Sequence, residues 1–138
     1  MNERRFADLQ LGQKERFVRQ ITLEMLADFQ RLSGDDNPLH SDKAFAASLG
    51  HKDRVAHGLL AASLYSALVG VHLPGRYALL HEIQIQFLRP VYPGDTLTVE
   101  GTVSHLHEAY RRVEILATST NQEGTCISKA KIQVGLLE

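Results

Sequence analysis

The stretch from Leu59 to Leu73 is almost entirely apolar, and the rest of the chain has to be arranged around it. Its polar exceptions are Ser63, Ser66 and His72. The stretch is shorter than the ~20 residues that a bilayer crossing needs, so we do not expect a membrane span. A helix that is apolar on all its faces is normally surrounded by protein. We therefore predict a buried central helix from about Gly58 to Val71.

The second half of the chain has the alternation that is typical of β-strands. Glu82–Phe87 alternates polar and apolar side chains, and turn residues follow at Tyr92–Asp95 and Asn121–Gly124. With a further strand at Glu15–Thr22, about five strands are predicted, and Gly101 is a candidate β-bulge. Consecutive strands joined by short turns are antiparallel. We expect an α+β fold, in which an antiparallel sheet wraps around one long central helix.

The first half has helical spacing with clear end signals. Thr22 can cap a helix that ends at Ser33–Gly34, because glycine tolerates the left-handed conformation of a helix C-terminus. Pro38 disfavours helix in the residue before it, so Asp35–His40 is predicted to be a loop. Ser41 is the predicted cap of a second helix, which runs through Leu49.

The composition fits one domain spanning residues 1–138 and argues against several classes of protein. The 15 basic and 16 acidic side chains leave a formal charge of −1, whereas a nucleic-acid binder is normally basic. The single cysteine, Cys126, excludes an internal disulfide and a multi-cysteine zinc site, and we expect it to be a buried thiol on a strand. The charged start MNERRFADLQ is followed by no apolar stretch, so we expect no secretory signal and a cytoplasmic protein.

The loop Asp35–His40 carries the strongest chemical signal. It places a carboxylate and an imidazole five residues apart, at most ~17 Å if extended and much closer across a turn. Asp35 and His40 could then contact one water molecule and act as a general acid–base pair. The alternative is purely local structure, since Asp and Asn are common in turns and a His can bind the backbone.

The start of the apolar helix is a second candidate. A helix N-terminus offers unpaired N–H groups, and Gly58 lets a carbonyl approach its N–H closely. Gly58, Ala62, Ser66 and Val69 fall on one helical stripe along which a substrate could extend. The alternatives are an ordinary loop-to-helix junction at Gly58 and a buried Ser66 that bonds to its own helix.

Four segments carry a resemblance to a known family. Phe29–Asp42, Ala44–Ala46, Val55–Leu60 and Phe87–Asp95 resemble MaoC-like hydratases, and most closely the (R)-specific enoyl-CoA hydratases. The Asp-x-Asn-Pro-Leu-His core is the most specific part, and it is followed by His-Gly before an apolar helix. The resemblance implies the hot-dog fold, an antiparallel sheet wrapped around a central helix.

The resemblance also implies roles for individual residues. Asp35 and His40 match the catalytic pair that activates the water, and Gly58 matches the residue whose N–H polarises the thioester carbonyl. Ser66 matches a serine near the catalytic aspartate, and Asn37 matches the asparagine of the motif, which supports the loop. No cofactor or metal is expected.

The implied reaction is the reversible, (R)-specific hydration of a trans-2-enoyl-CoA to a (R)-3-hydroxyacyl-CoA. A homodimer is implied, with the acyl tunnel at the subunit boundary, and trimers of dimers remain open; neither nucleic acid nor membrane is an expected partner. The alternatives are a 3-hydroxyacyl dehydratase acting on acyl carrier protein, a thioester hydrolase and a non-catalytic acyl-thioester binding module. The candidate contacts for the carrier's phosphates are Lys52, Arg54, Arg89, Arg111 and Arg112.

A metal site is the remaining alternative for this loop. His40-Ser41-Asp42 has the His-x-Asp spacing of some iron oxygenases, with His105 or His107 as a remote third ligand. Such a short spacing recurs by chance, and Asp42 also fits the first turn of a helix. We therefore expect no metal.

Overall fold

Five antiparallel strands form one sheet, and the apolar helix lies against it. The computed structural model describes residues 1–138. The strands are β1 (Lys14–Gln20), β2 (Ala78–Phe87), β3 (Thr96–His107), β4 (Arg112–Thr120) and β5 (Cys126–Leu136). The helices are α1 (Leu23–Ser33), α2 (Lys43–Ser48) and α3 (Gly58–Ala67), with a π-helical turn at Leu68–His72 and short 3-10 turns at Phe6–Asp8, Pro38–His40 and Glu108–Tyr110.

The strand order is β1-β3-β4-β5-β2, so β1 and β2 form the two edges. Every neighbouring pair is antiparallel. A short connection joins β4 to β5 at the predicted turn Asn121–Gly124. The predicted turn Tyr92–Asp95 instead joins β2 to β3, which are consecutive in the chain but are not neighbours in the sheet. The α+β class is confirmed, and so is the hot-dog arrangement of an antiparallel sheet around a central helix.

The main core fills the space between α3 and the sheet. It contains Leu9, Ala62, Tyr65, Leu68, Val69, Leu73, Val99, Val103, Val113, Ile115, Ala117, Ala130, Ile132, Val134 and Leu136. A smaller cluster joins α1 to the start of α3 through Ile21, Leu26, Ala56, Leu60, Ala61, Val91, Leu97 and Ile127. This second cluster packs α1 against the start of α3 and so sets where the loop after α1 begins.

The predicted bulge at Gly101 is wrong. Gly101 pairs in regular register with Ala117 on β4, and the irregularity in β3 lies between Val103 and His105. The glycine has a packing role instead, because a Cβ atom there would lie 2.8 Å from Leu68 Cδ2 and 3.0 Å from Ile115 Cγ2. The missing side chain lets the end of the central helix lie directly on the sheet.

We expect Gly101→Ala to destabilise the fold by about 1–3 kcal/mol, the usual cost of overpacking a dense core. The matched control is Gly70→Ala, since a Cβ at Gly70 meets nothing within 4 Å. Chemical denaturation gives the free energy of unfolding of both variants, and an unchanged m-value shows that the comparison is valid. Equal stability of Gly101→Ala and the unsubstituted protein would contradict the packing role of this glycine.

The central helix differs from its prediction in two respects. Its α-helical part ends at Ala67, and Leu68–His72 continues as a π-helical turn. It is also not buried on all sides, because Leu59 is 65% exposed and Ser66 is exposed as well. The physical reason is that one curled sheet covers only one side of a helix. No helix in the structure combines the length and apolarity that crossing a membrane requires.

The helix ends mostly follow the sequence signals. Thr22 Oγ1 accepts a hydrogen bond from Met25 N, as predicted for a cap, and Gly34 ends α1 in the left-handed conformation. The cap of α2 is Asp42 rather than Ser41, because the Asp42 carboxylate accepts from Phe45 N at 3.0 Å. Cys126 begins β5 and is only partly buried.

Candidate active site

The loop after α1 folds back through two nested side-chain turns. Asp35 Oδ1 accepts a hydrogen bond from Asn37 N at 3.2 Å, and Asn37 Oδ1 accepts from Leu39 N at 2.9 Å. Gly34 has a φ of 77°, which favours glycine and reverses the chain at the helix end. These local bonds bring Asp35 and His40 together, and they give Asn37 a loop-supporting position.

Asp35 and His40 face each other. Asp35 Oδ2 lies 3.5 Å from His40 Nε2; the Asp35 side chain is 47% exposed and the His40 side chain is 12% exposed. His40 Nδ1 lies 2.6 Å from the carbonyl oxygen of Val55. Because a carbonyl only accepts, Nδ1 must carry the proton, and Nε2 is the nitrogen that faces the carboxylate. The pair therefore has a fixed orientation and one side open to a reactant.

His57 is a third member of this site, and its role is not evident from the sequence. Its ring stacks on the His40 ring with centroids 3.8 Å apart and planes at 24°. His57 Nε2 donates to the backbone carbonyl of Asp35 at 3.1 Å. The only sequence signal for it is its place beside Gly58 in the segment Val55–Leu60.

Gly58 is the first residue of α3, and His57 caps this helix without a side-chain hydrogen bond. The Gly58 N–H has no partner, as expected for the first turn of a helix. Gly58 and His40 both line a largely apolar cavity of about 420 Å³. A Cβ at Gly58 would lie 3.3 Å from Phe87 Cε1, so the glycine keeps the approach to its N–H open.

The rest of the predicted stripe divides between core and surface. Ala62 and Val69 are buried in the main core, with 7% and 3% of their surface exposed. Ser66 is exposed on α3, about 12 Å along the helix from Gly58 at 1.5 Å per residue. The structure thus brings His40 and Gly58 together around one cavity and places Asp35 beside His40. The contact of Ser66, Ala62 and Val69 with a substrate stays a prediction.

The other candidate metal ligands, Asp42, His105 and His107, make contacts away from His40. Asp42 caps α2, and His105 packs edge-on against His107 on β3 at 4.1 Å. Ligand atoms of Asp35, His40 and His57 do lie within 4.8 Å of one another. One nitrogen of each ring is already engaged, however, because His40 Nδ1 donates to the Val55 carbonyl and His57 Nε2 donates to the Asp35 carbonyl.

A buried hydroxyl pair lies beside the cavity. Tyr65 Oη and Ser128 Oγ are 2.7 Å apart, and Ser128 also lines the cavity. Tyr65 is 1% exposed. Burial raises the pKa of the Tyr65 phenol above its ordinary value of 10.0, and the hydrogen bond from Ser128 opposes that shift in part.

This raised pKa predicts a loss of stability in alkali. The folded state holds the Tyr65 proton more tightly than the unfolded state, so the stabilisation is complete below pH 10.0 and is lost as pH rises through the folded-state pKa. We expect a Tyr65→Phe variant to remove this component of the alkaline dependence. Tyrosinate absorbance measured alongside unfolding should show one phenol titrating late. An unchanged pH profile in the variant would contradict this prediction.

Comparisons with known proteins point to one family. A family model for the MaoC-like domain matches residues 8–125. The (R)-specific enoyl-CoA hydratase of Aeromonas caviae is 41% identical over 100 residues, which is 72% of this chain and 75% of that protein. The 3-hydroxybutyryl-CoA dehydratase of Methylorubrum extorquens is 34% identical over 130 residues, covering 94% of this chain and 83% of that protein. The unliganded R-hydratase PhaJ1 of Pseudomonas aeruginosa has a TM-score of 0.92 at 34% identity, covering 97% of this chain and 86% of that one.

The fold, the family model and these identities together define the class: the chain belongs to the MaoC-like family. The resemblance carried by Phe29–Asp42 and the three later segments is therefore confirmed. The chain is a hydro-lyase, an enzyme that adds water to a carbon–carbon double bond or removes water to form one.

Proposed function

We propose that this enzyme hydrates trans-2-enoyl-CoA to (R)-3-hydroxyacyl-CoA in a reversible reaction. The observation that carries the proposal is the Asp35–His40 pair, 3.5 Å apart, beside an apolar cavity that His40 and Gly58 both line. The named activities of the relatives from Aeromonas caviae and Methylorubrum extorquens support it. We place the enzyme in the cytoplasm, as the sequence predicts.

The carboxylate and the imidazole have complementary tasks in this reaction. A water molecule that contacts both Asp35 and His40 attacks C3 of the enoyl thioester, and Asp35 accepts the proton that the water loses. The electrons of the double bond move toward the thioester carbonyl. His40, which starts doubly protonated with its Nδ1–H held by Val55 O, then delivers the Nε2 proton to C2. Transfer of the proton from Asp35 to His40 restores both groups. The exchange of these two roles between Asp35 and His40 gives the same products and is the alternative assignment.

Gly58 supplies the third element of the mechanism. Its unpartnered N–H lies at the cavity and would donate to the thioester oxygen, where negative charge develops during attack. The positive end of the α3 dipole adds to this stabilisation. Asn37 would support the catalytic loop. The acyl chain would extend along the central helix past Ala62, Ser66 and Val69.

The five candidate basic residues differ in their relation to the cavity. Arg89 is the one that lines it, and it is therefore our choice for a phosphate of the carrier. Lys52 lies over the Tyr92 ring, and Arg54 is paired with Asp53. Arg111 and Arg112 lie at the start of β4, where Arg111 donates to the Glu138 carbonyl. The assay described below distinguishes coenzyme A from acyl carrier protein as the carrier.

The exposed apolar surface supports a homodimer. Leu59 is 65%, Phe87 52%, Leu79 46% and Leu80 43% exposed, and β2 is an edge strand. A partner would remove this surface from water, which is favourable, and would cover the open side of α3. Size-exclusion chromatography with light scattering should give twice the mass of the chain or a multiple of the dimer. A monomer at all concentrations would contradict the proposal.

The activity is tested by mixing the purified protein with crotonyl-CoA and following the absorbance of the conjugated enoyl thioester. We expect a fast loss of absorbance and, by chiral analysis, (R)-3-hydroxybutyryl-CoA. Release of a free thiol instead would indicate thioester hydrolysis. If enoyl-CoAs of several lengths bind without turnover, the same assay with enoyl-acyl carrier protein separates a carrier-protein dehydratase from a binding module.

A further inference from the structure

We propose that His57 is a positioning residue that holds Asp35 and His40 in a fixed position relative to the Gly58 N–H. This inference rests on the proposed function, because it concerns the same site. His57 precedes Gly58 directly, stacks on His40 and hydrogen-bonds to the backbone of Asp35. It is 2% exposed, so it acts through these neighbours and does not touch the substrate.

The hydrogen bond to Asp35 connects the exposed loop after α1 to the start of the central helix. The other hydrogen bonds of Asp35 are local, to Ser33 Oγ and Asn37 N. His57 Nε2 is the donor that the structure gives to the Asp35 carbonyl, and it comes from 22 residues away. Without it, the backbone that carries the carboxylate has no direct hydrogen bond to the element that carries the Gly58 N–H.

The stacking contact fixes the second member of the pair. Val55 O holds the Nδ1 edge of the His40 ring at 2.6 Å, and His57 covers one face of that ring at 3.8 Å between centroids. The hydrogen bond holds one edge of the ring, and the stack limits the tilting of the ring about that contact. His40 Nε2 therefore points toward Asp35. Phe29 packs on His57 in turn, with centroids 4.9 Å apart.

The hydrogen-bonding pattern makes His57 a neutral support rather than a proton carrier. Its Nε2 donates to a carbonyl, so in the neutral ring Nδ1 holds the lone pair. Nδ1 is buried and has no partner. A second proton on His57 would leave a charged N–H without an acceptor in the interior, and would put two cationic rings face to face whenever His40 is protonated. We therefore assign His57 a positional effect and no step in the proton transfer.

Three substitutions separate the two contacts. His57→Gln keeps a donor for the Asp35 carbonyl but loses the stack, and His57→Phe keeps the stack but loses the donor. His57→Leu loses both. We expect kcat with crotonyl-CoA to fall in all three and most in His57→Leu, by up to about 10²-fold, the effect of a small misplacement of catalytic groups. The KM should stay within about twofold, because His57 makes no contact with substrate.

The matched control is His72→Phe. His72 also stacks on an aromatic ring, Phe17, at 4.7 Å, but it does so at the other end of the central helix. Thermal unfolding is measured for every variant, so that a loss of fold is separated from a loss of rate. We expect His72→Phe to retain the unsubstituted kcat.

The outcomes distinguish this inference from the proposed function. Unchanged kcat in folded His57→Leu, or in both His57→Gln and His57→Phe, alongside an inactive Asp35→Asn, would overturn the role of His57 and leave the proposed function intact. An active Asp35→Asn would overturn the proposed mechanism itself. If His57→Leu does not fold, the other two variants decide, since each removes only one contact. A rise in KM with constant kcat would identify a binding role and also overturn the inference.

Discussion

An Asp35→Asn enzyme is expected to fold normally and to hydrate crotonyl-CoA about 10³-fold more slowly, within the range that a positioned acid–base group contributes. The amide has the shape of the carboxylate, and its oxygen can still accept from Asn37 N, so the loop keeps its turn. It cannot accept a proton from water at neutral pH. The loss should therefore appear in kcat, measured by the absorbance of the enoyl thioester.

The neighbouring carboxylate provides the control for this substitution. Asp36 is exposed and makes no side-chain hydrogen bond or ion pair in the structure. Asp36→Asn makes the same change in charge one residue away, so it should leave kcat unchanged. Near-normal turnover by a folded Asp35→Asn enzyme would contradict the assignment of Asp35 as the base. Equal losses in both variants would point to a general effect of the loop's charge instead.

A Gly58→Pro enzyme should retain its fold and lose about 10²–10³-fold in kcat, because it lacks the N–H that faces the developing oxyanion. Proline is tolerated at the first position of a helix, where the N–H has no partner within the helix. It also requires an extended residue before it, and His57 has φ −54° and ψ 131°. The substitution thus removes one hydrogen-bond donor with little demand on the backbone.

Gly58→Ala is the matched control for the added bulk. It introduces the Cβ atom that approaches Phe87 to 3.3 Å but keeps the N–H. The Phe87 ring is 52% exposed and can move away, so the alanine enzyme should fold and turn over faster than the proline enzyme. If the two variants lose activity equally, steric closure of the cavity explains the loss, and the N–H has no special role.

The parts of the site that the sequence could predict are those made by local chain geometry. Asp35 and His40 are brought together by turns within the loop itself, and Gly58 is placed by the start of a helix. Each of these features follows from residue types at short spacing. His57 could not be predicted in the same way, because its contacts with Asp35 and His40 depend on how α3 packs against the loop after α1.

The errors in the fold prediction have the same origin. Gly101 has the properties of a bulge residue in the strand pattern, yet it is required by the close approach of Leu68 from the central helix. The apolar run from Leu59 predicts a helix buried on every face, yet Leu59 itself is 65% exposed. The apolar run shows that the surface of the central helix is hydrophobic. It does not show whether this chain or a partner chain covers that surface.

The hydrogen bond between His40 Nδ1 and the Val55 carbonyl determines how His40 returns to its starting protonation state after each turnover. With one ring nitrogen occupied, every proton that His40 gains or gives in the proposed mechanism passes through the same atom, Nε2. By microscopic reversibility, hydration and dehydration then follow one path in opposite directions, with no ring flip or change of tautomer between them. The supply of substrate and the removal of product, rather than the architecture of the site, set the direction in which such an enzyme runs.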